Sequence, residues 1–170
     1  MFITASKIFN LPIASLESKS KIGVVSYLLF SPHDLNLLAL EVKTGNFLFS
    51  KKLYLSAHDI LEIDSNGIVV KSDDTLVDAS QIVRIKDVIK QKSPIIGQRA
   101  ITKSKQRIGK IDDLLIDTLT GGIDKFYISN IFEEKIIPAS KIYKITPKAV
   151  IFCDDILDQT IECEPEGAVA

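Results

Sequence analysis

Lys21-Ile22-Gly23-Val24-Val25-Ser26-Tyr27-Leu28-Leu29-Phe30-Ser31 returns 86 residues later as Arg107-Ile108-Gly109-Lys110-Ile111-Asp112-Asp113-Leu114-Leu115-Ile116-Asp117. A second pair of blocks, Leu55-Ser56-Ala57-His58-Asp59-Ile60-Leu61-Glu62-Ile63 and Ile137-Pro138-Ala139-Ser140-Lys141-Ile142-Tyr143-Lys144-Ile145, matches at an offset of 82. The first copy is therefore longer between its blocks, around residues 43–52, where Gly45 and Asn46 mark a turn. A length change at a turn lengthens a hairpin loop and leaves the topology alone. Two blocks in the same order with the same apolar spacing predict two tandem homologous domains, residues 1–71 and 93–153. Residues 72–92 then form a connector, and 154–170 an acidic C-terminal tail.

Within each copy the local signals are those of strands. Apolar and polar positions alternate through residues 107–115, and Ile, Val, Leu and Phe dominate the segments between turn residues. Asp117-Thr118-Leu119-Thr120-Gly121-Gly122 reads as a tight reversal, with the Asp117 carboxylate accepting backbone N–H groups and a glycine supplying positive φ. Ser31-Pro32-His33-Asp34 does the same in the first copy. Gly23 and Gly109 stand where a strongly curved strand bends or bulges, and Pro138 suits the first position of a short helical turn. Five or six short strands in each copy predict a mainly β fold of two small barrels, because closure removes exposed edges. Units this small bury little surface alone, so the two should pack together. In the connector, Ala79, Ile82, Ile85 and Ile89 have near-helical spacing over residues 78–91, which predicts a short amphipathic helix against the low propensity of its β-branched residues.

The 170 residues are 46% hydrophobic with a net charge of −1, which excludes a disordered or collagen-like chain. The longest nearly apolar runs, residues 22–30 and 35–42, are about half the roughly 20 residues a membrane helix needs, so no transmembrane segment is expected. Residues 1–14 lack a continuous apolar stretch before a cleavage site, and a cytoplasmic protein without a secretory leader is the expectation. Cys153 and Cys163 fit neither a disulfide framework nor a zinc site and are expected to be reduced.

The pattern Arg-Ile-Gly-Lys-Ile-Asp-Asp-Leu-Leu-Ile-Asp, then Thr-Gly-Gly, then Ile-Ile-Pro-Ala-Ser-Lys-Ile over residues 107–142 resembles the PRC-barrel domain family. The first copy is similar but lacks the acidic pair after its glycine and the proline before its alanine. The family includes the cytoplasmic domain of the photosynthetic reaction-centre H subunit and the C-terminal domain of ribosome maturation factor M. The resemblance implies a fold of two tandem PRC-type barrels used for protein contacts, with no catalytic residues common to the family. No cofactor and no active site follow from it.

One local feature suggests an anionic partner. Lys90, Lys92, Arg99, Lys103, Lys105, Arg107 and Lys110 fall in a stretch with no acidic residue between Val88 and Ile111. Several cations together would contact RNA phosphate or an anionic membrane surface. A solvated edge strand is the commoner explanation, and the stretch contains no aromatic residue for base stacking. The tail carries Asp154, Asp155, Asp158, Glu162, Glu164 and Glu166 with no basic residue, and is expected to be frayed.

Catalytic constellations are absent from the sequence. Cys153 follows an apolar strand with no histidine placed near it, and burial would leave it inert. Strand alternation puts Asp112 and Asp113 on opposite faces, and neither the spacing of a calcium loop nor a phosphate-binding loop occurs. The expected function is a non-catalytic protein-binding or scaffold module that engages its partner by strand addition or in the groove between barrels. A homodimer and peripheral association with a membrane complex remain open. The alternative is a ribosome-assembly or RNA-associated factor using the basic stretch over residues 90–110.

Overall fold

The computed structural model describes residues 1–45, 50–82, 85–91 and 94–156, and at 87, 90 and 91 the backbone alone. In chain order come β1 (Phe2–Thr4), α1 (Ala5–Ile8), β2 (Pro12–Ser15), β3 (Ser20–Phe30), β4 (Leu37–Thr44), β5 (Lys51–Ser56), β6 (Ile60–Ile63), β7 (Ile68–Val70) and β8 (Leu76–Val77). They are followed by α2 (Lys86–Gln91), β9 (Arg99–Thr102), β10 (Arg107–Asp117), β11 (Ile123–Ser129), β12 (Glu134–Pro138), β13 (Ile142–Ile145) and β14 (Ala149–Phe152).

The fold is mainly β, in two curled seven-stranded sheets. The first runs β6-β7-β2-β3-β4-β5-β8, and the second β12-β11-β10-β9-β14-β13 with β1 added to β10. Apart from β8 and β1 the two orders are the same, down to a parallel first–last pairing, β2 with β7 and β9 with β14. Bulges recur at equivalent places as well. Ile22 and Ile108 are the extra residues just before Gly23 and Gly109, Ser26 and Asp112 follow, and Leu61 and Tyr143 bulge near the ends. Each bulge adds local twist, which is how such short strands curl.

The two halves exchange equivalent groups at their turns. Leu37 donates its N–H to the Gly121 carbonyl at 2.9 Å, and Ile123 donates to the Leu35 carbonyl at 3.2 Å. One apolar core runs through both sheets, from Ile13, Leu40, Val42 and Leu55 to Ile111, Leu114, Phe126 and Phe152. Phe126 and Phe152 meet edge to face at a centroid distance of 5.4 Å.

The Asp117 turn forms as expected: its Oδ1 accepts from Leu119 N at 3.1 Å, and Gly121 has a φ of +73°. Pro138 ends β12 and caps the 3-10 turn Ala139–Lys141, so it precedes that turn instead of opening it. Among its described residues the connector is α-helical only over Lys86–Gln91. Before it lie β8, paired to β5, and a 3-10 turn over Ala79–Gln81. Its β-branched residues favour extended backbone, and Ile82, Ile85 and Ile89 still pack on Tyr27, Leu29 and Ala39. The start of the tail is ordered, contrary to expectation: Asp154–Ile156 form a 3-10 turn, and Lys141 pairs with the Asp155 carboxylate, whose side chain is only 4% exposed. Asp158, Glu162, Glu164 and Glu166 lie outside the described residues.

Candidate functional site

The basic stretch reaches the surface of the second sheet. Lys110 stands opposite Arg99 and Arg107 opposite Ile101, which puts Arg99, Arg107 and Lys110 on one outer face. Lys103 and Lys105 occupy the following hairpin, with Lys103 Nζ 4.6 Å from the centre of the Tyr143 ring. All five are exposed. The Lys90 side chain and the whole of Lys92 lie outside the described residues. Asp154 at the head of the tail is bound to this hairpin, its Oδ1 accepting from Ser104 N at 2.8 Å. That backbone N–H, the Ser104 and Thr102 hydroxyls and the Lys103 charge together hold its carboxyl below the ordinary range.

A groove beside β3 is lined by residues that no sequence signal singled out as a site. β3 keeps β4 along one edge from Val24 to Phe30, but on the other edge β2 ends at Val24. The last contacts there are Val25 N to the Leu11 carbonyl, 3.0 Å, and Asn10 N to the Val25 carbonyl, 2.9 Å. Beyond them, among the described residues, no strand pairs with 26–30 on that edge. A cavity of about 510 Å³ runs along it, within the range of ligand-binding clefts. Five consecutive β3 residues line it, so it meets the strand from its side and not from one face alone. Val88, Ile89, Pro94 and Ile95 form the opposite wall.

The polar end of this groove is organised by Glu41. Ser26 Oγ donates to Glu41 Oε1 at 2.8 Å, Tyr54 OH donates to Oε2 at 3.3 Å, and Lys52 Nζ lies 3.1 Å from Oε1. Burial pushes the Glu41 carboxyl up, but the Ser26 hydroxyl, the Lys52 ammonium and the Tyr54 phenol outweigh it and leave the group below the ordinary carboxylate range. Burial, and then the Glu41 charge, raise the phenols of Tyr27 and Tyr54. The bulge at Ser26 turns its hydroxyl towards Glu41, which is why two strands meet in a polar cluster here. The sequence signal was slight: Glu41 is the one acidic residue of the strand Leu37–Thr44, following four apolar residues. Lys43, exposed at the same end, has no carboxylate within ion-pair distance among the described residues.

The other sequence candidates are differently placed. Asp112 and Asp113 are not on opposite faces: the bulge at Asp112 turns both away from the core while Ile111 and Leu114 stay buried. Asp113 instead accepts from Ser6 N at 3.0 Å and from the Ser6 hydroxyl, capping α1. Cys153 is 1% exposed and disulfide-bonded, against the expectation of a reduced thiol. The only other cysteine in the chain, Cys163, is outside the described residues. His33 and His58 are exposed, and no group of potential metal ligands gathers among the described residues. No described helix is long and apolar enough to cross a membrane.

Comparison with protein-family models and with curated proteins gives no match.

Proposed function

We propose that the protein is a non-catalytic protein-binding module, its fold a pair of PRC-type barrels, that holds its partner in the groove beside β3. The observation that carries this reading is the edge of residues 26–30, unpaired among the described residues, opening onto a cavity of about 510 Å³ with mainly apolar walls. An edge without a paired strand supplies a row of backbone donors and acceptors, and the adjoining cavity takes the side chains of an added strand. Binding of this kind needs no catalytic residue, which agrees with the protein-contact role implied by the PRC-barrel resemblance.

The experiment is a pull-down with tagged protein at low and high salt, with and without ribonuclease, comparing wild type, Tyr27→Lys and the double variant Arg99→Glu/Lys110→Glu. A protein partner retained through salt and ribonuclease, lost with Tyr27→Lys and kept by the double variant, is the expected result. The reverse pattern favours the second reading, an RNA-associated factor. That reading draws on the shared outer face of Arg99, Arg107 and Lys110, and phosphate contacts of this kind weaken steeply with salt.

A further inference from the structure

The internal repeat says what fits the groove. In the second sheet, β10 leaves its preceding strand at the equivalent point: Ile111 N donates to the Gln98 carbonyl at 2.9 Å, and Gly97 N to the Ile111 carbonyl at 2.8 Å. Beyond that point its edge is filled. β1 lies antiparallel on it, with Thr4 opposite Leu115, Ile3 opposite Ile116 and Phe2 opposite Asp117. The same positions of the first copy are Leu29, Phe30 and Ser31, and there the edge carries no strand among the described residues. The chain's own segment at the position of β1, residues 89–91, is instead wound into α2, so Ile89 forms part of the far wall.

We infer that this edge receives an extended segment of a partner protein, antiparallel to β3 in the register that β1 adopts on β10. The segment carries aliphatic or aromatic residues over Leu29 and Phe30 and an acidic residue towards its C-terminal end. The inference rests on the binding-module reading above and identifies the occupant of its groove. Direction follows from the filled edge: an antiparallel strand that starts beside Ser31 runs towards Ser26. Its C-terminal end therefore arrives at the polar end of the cavity, where Lys43 and Lys52 contribute two positive charges against the single negative charge of Glu41. Side chains on one face of the segment meet Tyr27, Leu29 and Val88, and those on the other meet Phe30 and Ile95.

The probe is a peptide labelled at its N-terminus, fluoresceinyl-Gly-Gly-Phe-Ile-Val-Thr-Glu-amide, which places Ile over Phe30 and Val over Leu29, with three companions: the same peptide N-methylated at alternate residues, its Glu→Gln form, and a scrambled sequence. Fluorescence anisotropy and hydrogen exchange are read on the full chain. The expected result is saturable binding that slows exchange within residues 27–30 and falls at least tenfold on N-methylation. Lys43→Glu, at an exposed position, should weaken the Glu peptide at least tenfold while changing the Gln peptide less than threefold. Absence of binding, equal binding of the N-methylated or scrambled peptide, or protection mapping to Arg99 and Lys110 would overturn the inference. So would exchange at residues 27–30 of the free protein already as slow as at 115–117, since the chain's own segment would then fill the edge. A salt-resistant protein partner in the pull-down alongside any of these results leaves the binding-module reading standing and removes only this occupant.

Discussion

Gly109 passes so close to Ser129 that a Cβ placed on it would stand 2.2 Å from the Ser129 carbonyl oxygen and 2.8 Å from its carbonyl carbon. Both are backbone atoms of the paired strand, so a methyl group there requires β10 and β11 to separate. Gly109→Ala is expected to cost about 3 kcal/mol. Gly23, its repeat counterpart, faces a side-chain atom, Val42 Cγ1, at 2.5 Å and the Lys43 carbonyl oxygen at the longer distance of 3.1 Å. Gly23→Ala should cost about 1 kcal/mol. Urea midpoints of the two variants at constant slope check the order.

Gln98 is 8% exposed, and neither its side-chain nitrogen nor its oxygen has a hydrogen-bond partner among the described residues. The first half places Leu11 at the same point of the fold, each residue's carbonyl receiving the N–H of the strand that follows. A buried amide without partners costs about 1 to 3 kcal/mol. Gln98→Leu should therefore raise the melting temperature, and a fall on calorimetry would show that the amide is satisfied.

Glu41 ties acid stability to the groove. Its carboxyl is held below its ordinary value of 4.5 in the folded chain. The stability it contributes is thus fully present above that pH and is lost as the pH falls through the lower, folded value. Glu41→Gln should flatten the acid limb of a stability–pH profile below pH 4.5, with Ser26→Ala having a smaller effect of about 1 kcal/mol at neutral pH. Parallel acid limbs in wild type and Glu41→Gln would contradict the assignment.

Asp113 holds the N-terminal segment on the second sheet through Ser6. Asp113→Ala removes a cap on α1 and should cost about 1 kcal/mol. Hydrogen exchange should speed up across residues 2–8 and remain unchanged in β9 and β14, which share no bond with the cap.

Lys141 and Asp155 form an unequal pair, the lysine 39% exposed and the aspartate 4%. Lys141→Met leaves a carboxylate buried without its cation, whereas Asp155→Asn leaves a lysine that reaches water. The first should destabilise by about 3 kcal/mol and the second by less. Denaturant titration of both variants tests the ranking.

The local chemistry was legible in the residues themselves. The repeat of residues 21–31 at 107–117 was enough to place β3 and β10, Asp117 and Gly121 specified their turn, and Ile142 and Ala149 open the strands expected of them. These features depend on neighbours a few positions apart, which periodicity and turn chemistry record directly. The six-residue α2 shows the limit of such signals, because apolar spacing suggested a longer helix than its β-branched residues sustain.

Relations between distant residues, by contrast, were fixed by packing across the whole fold. That β1 crosses to β10 while the matching edge of β3 has no strand among the described residues depends on contacts more than 100 residues apart, and no local pattern separates the two edges. The bulges that put Ser26 on Glu41 and turn Asp113 to Ser6 break the strict alternation on which face assignments rest. Two strands of the same apolar pattern thus have different neighbours in space, since long-range pairing is settled by which segments are free to pack, not by the strands themselves.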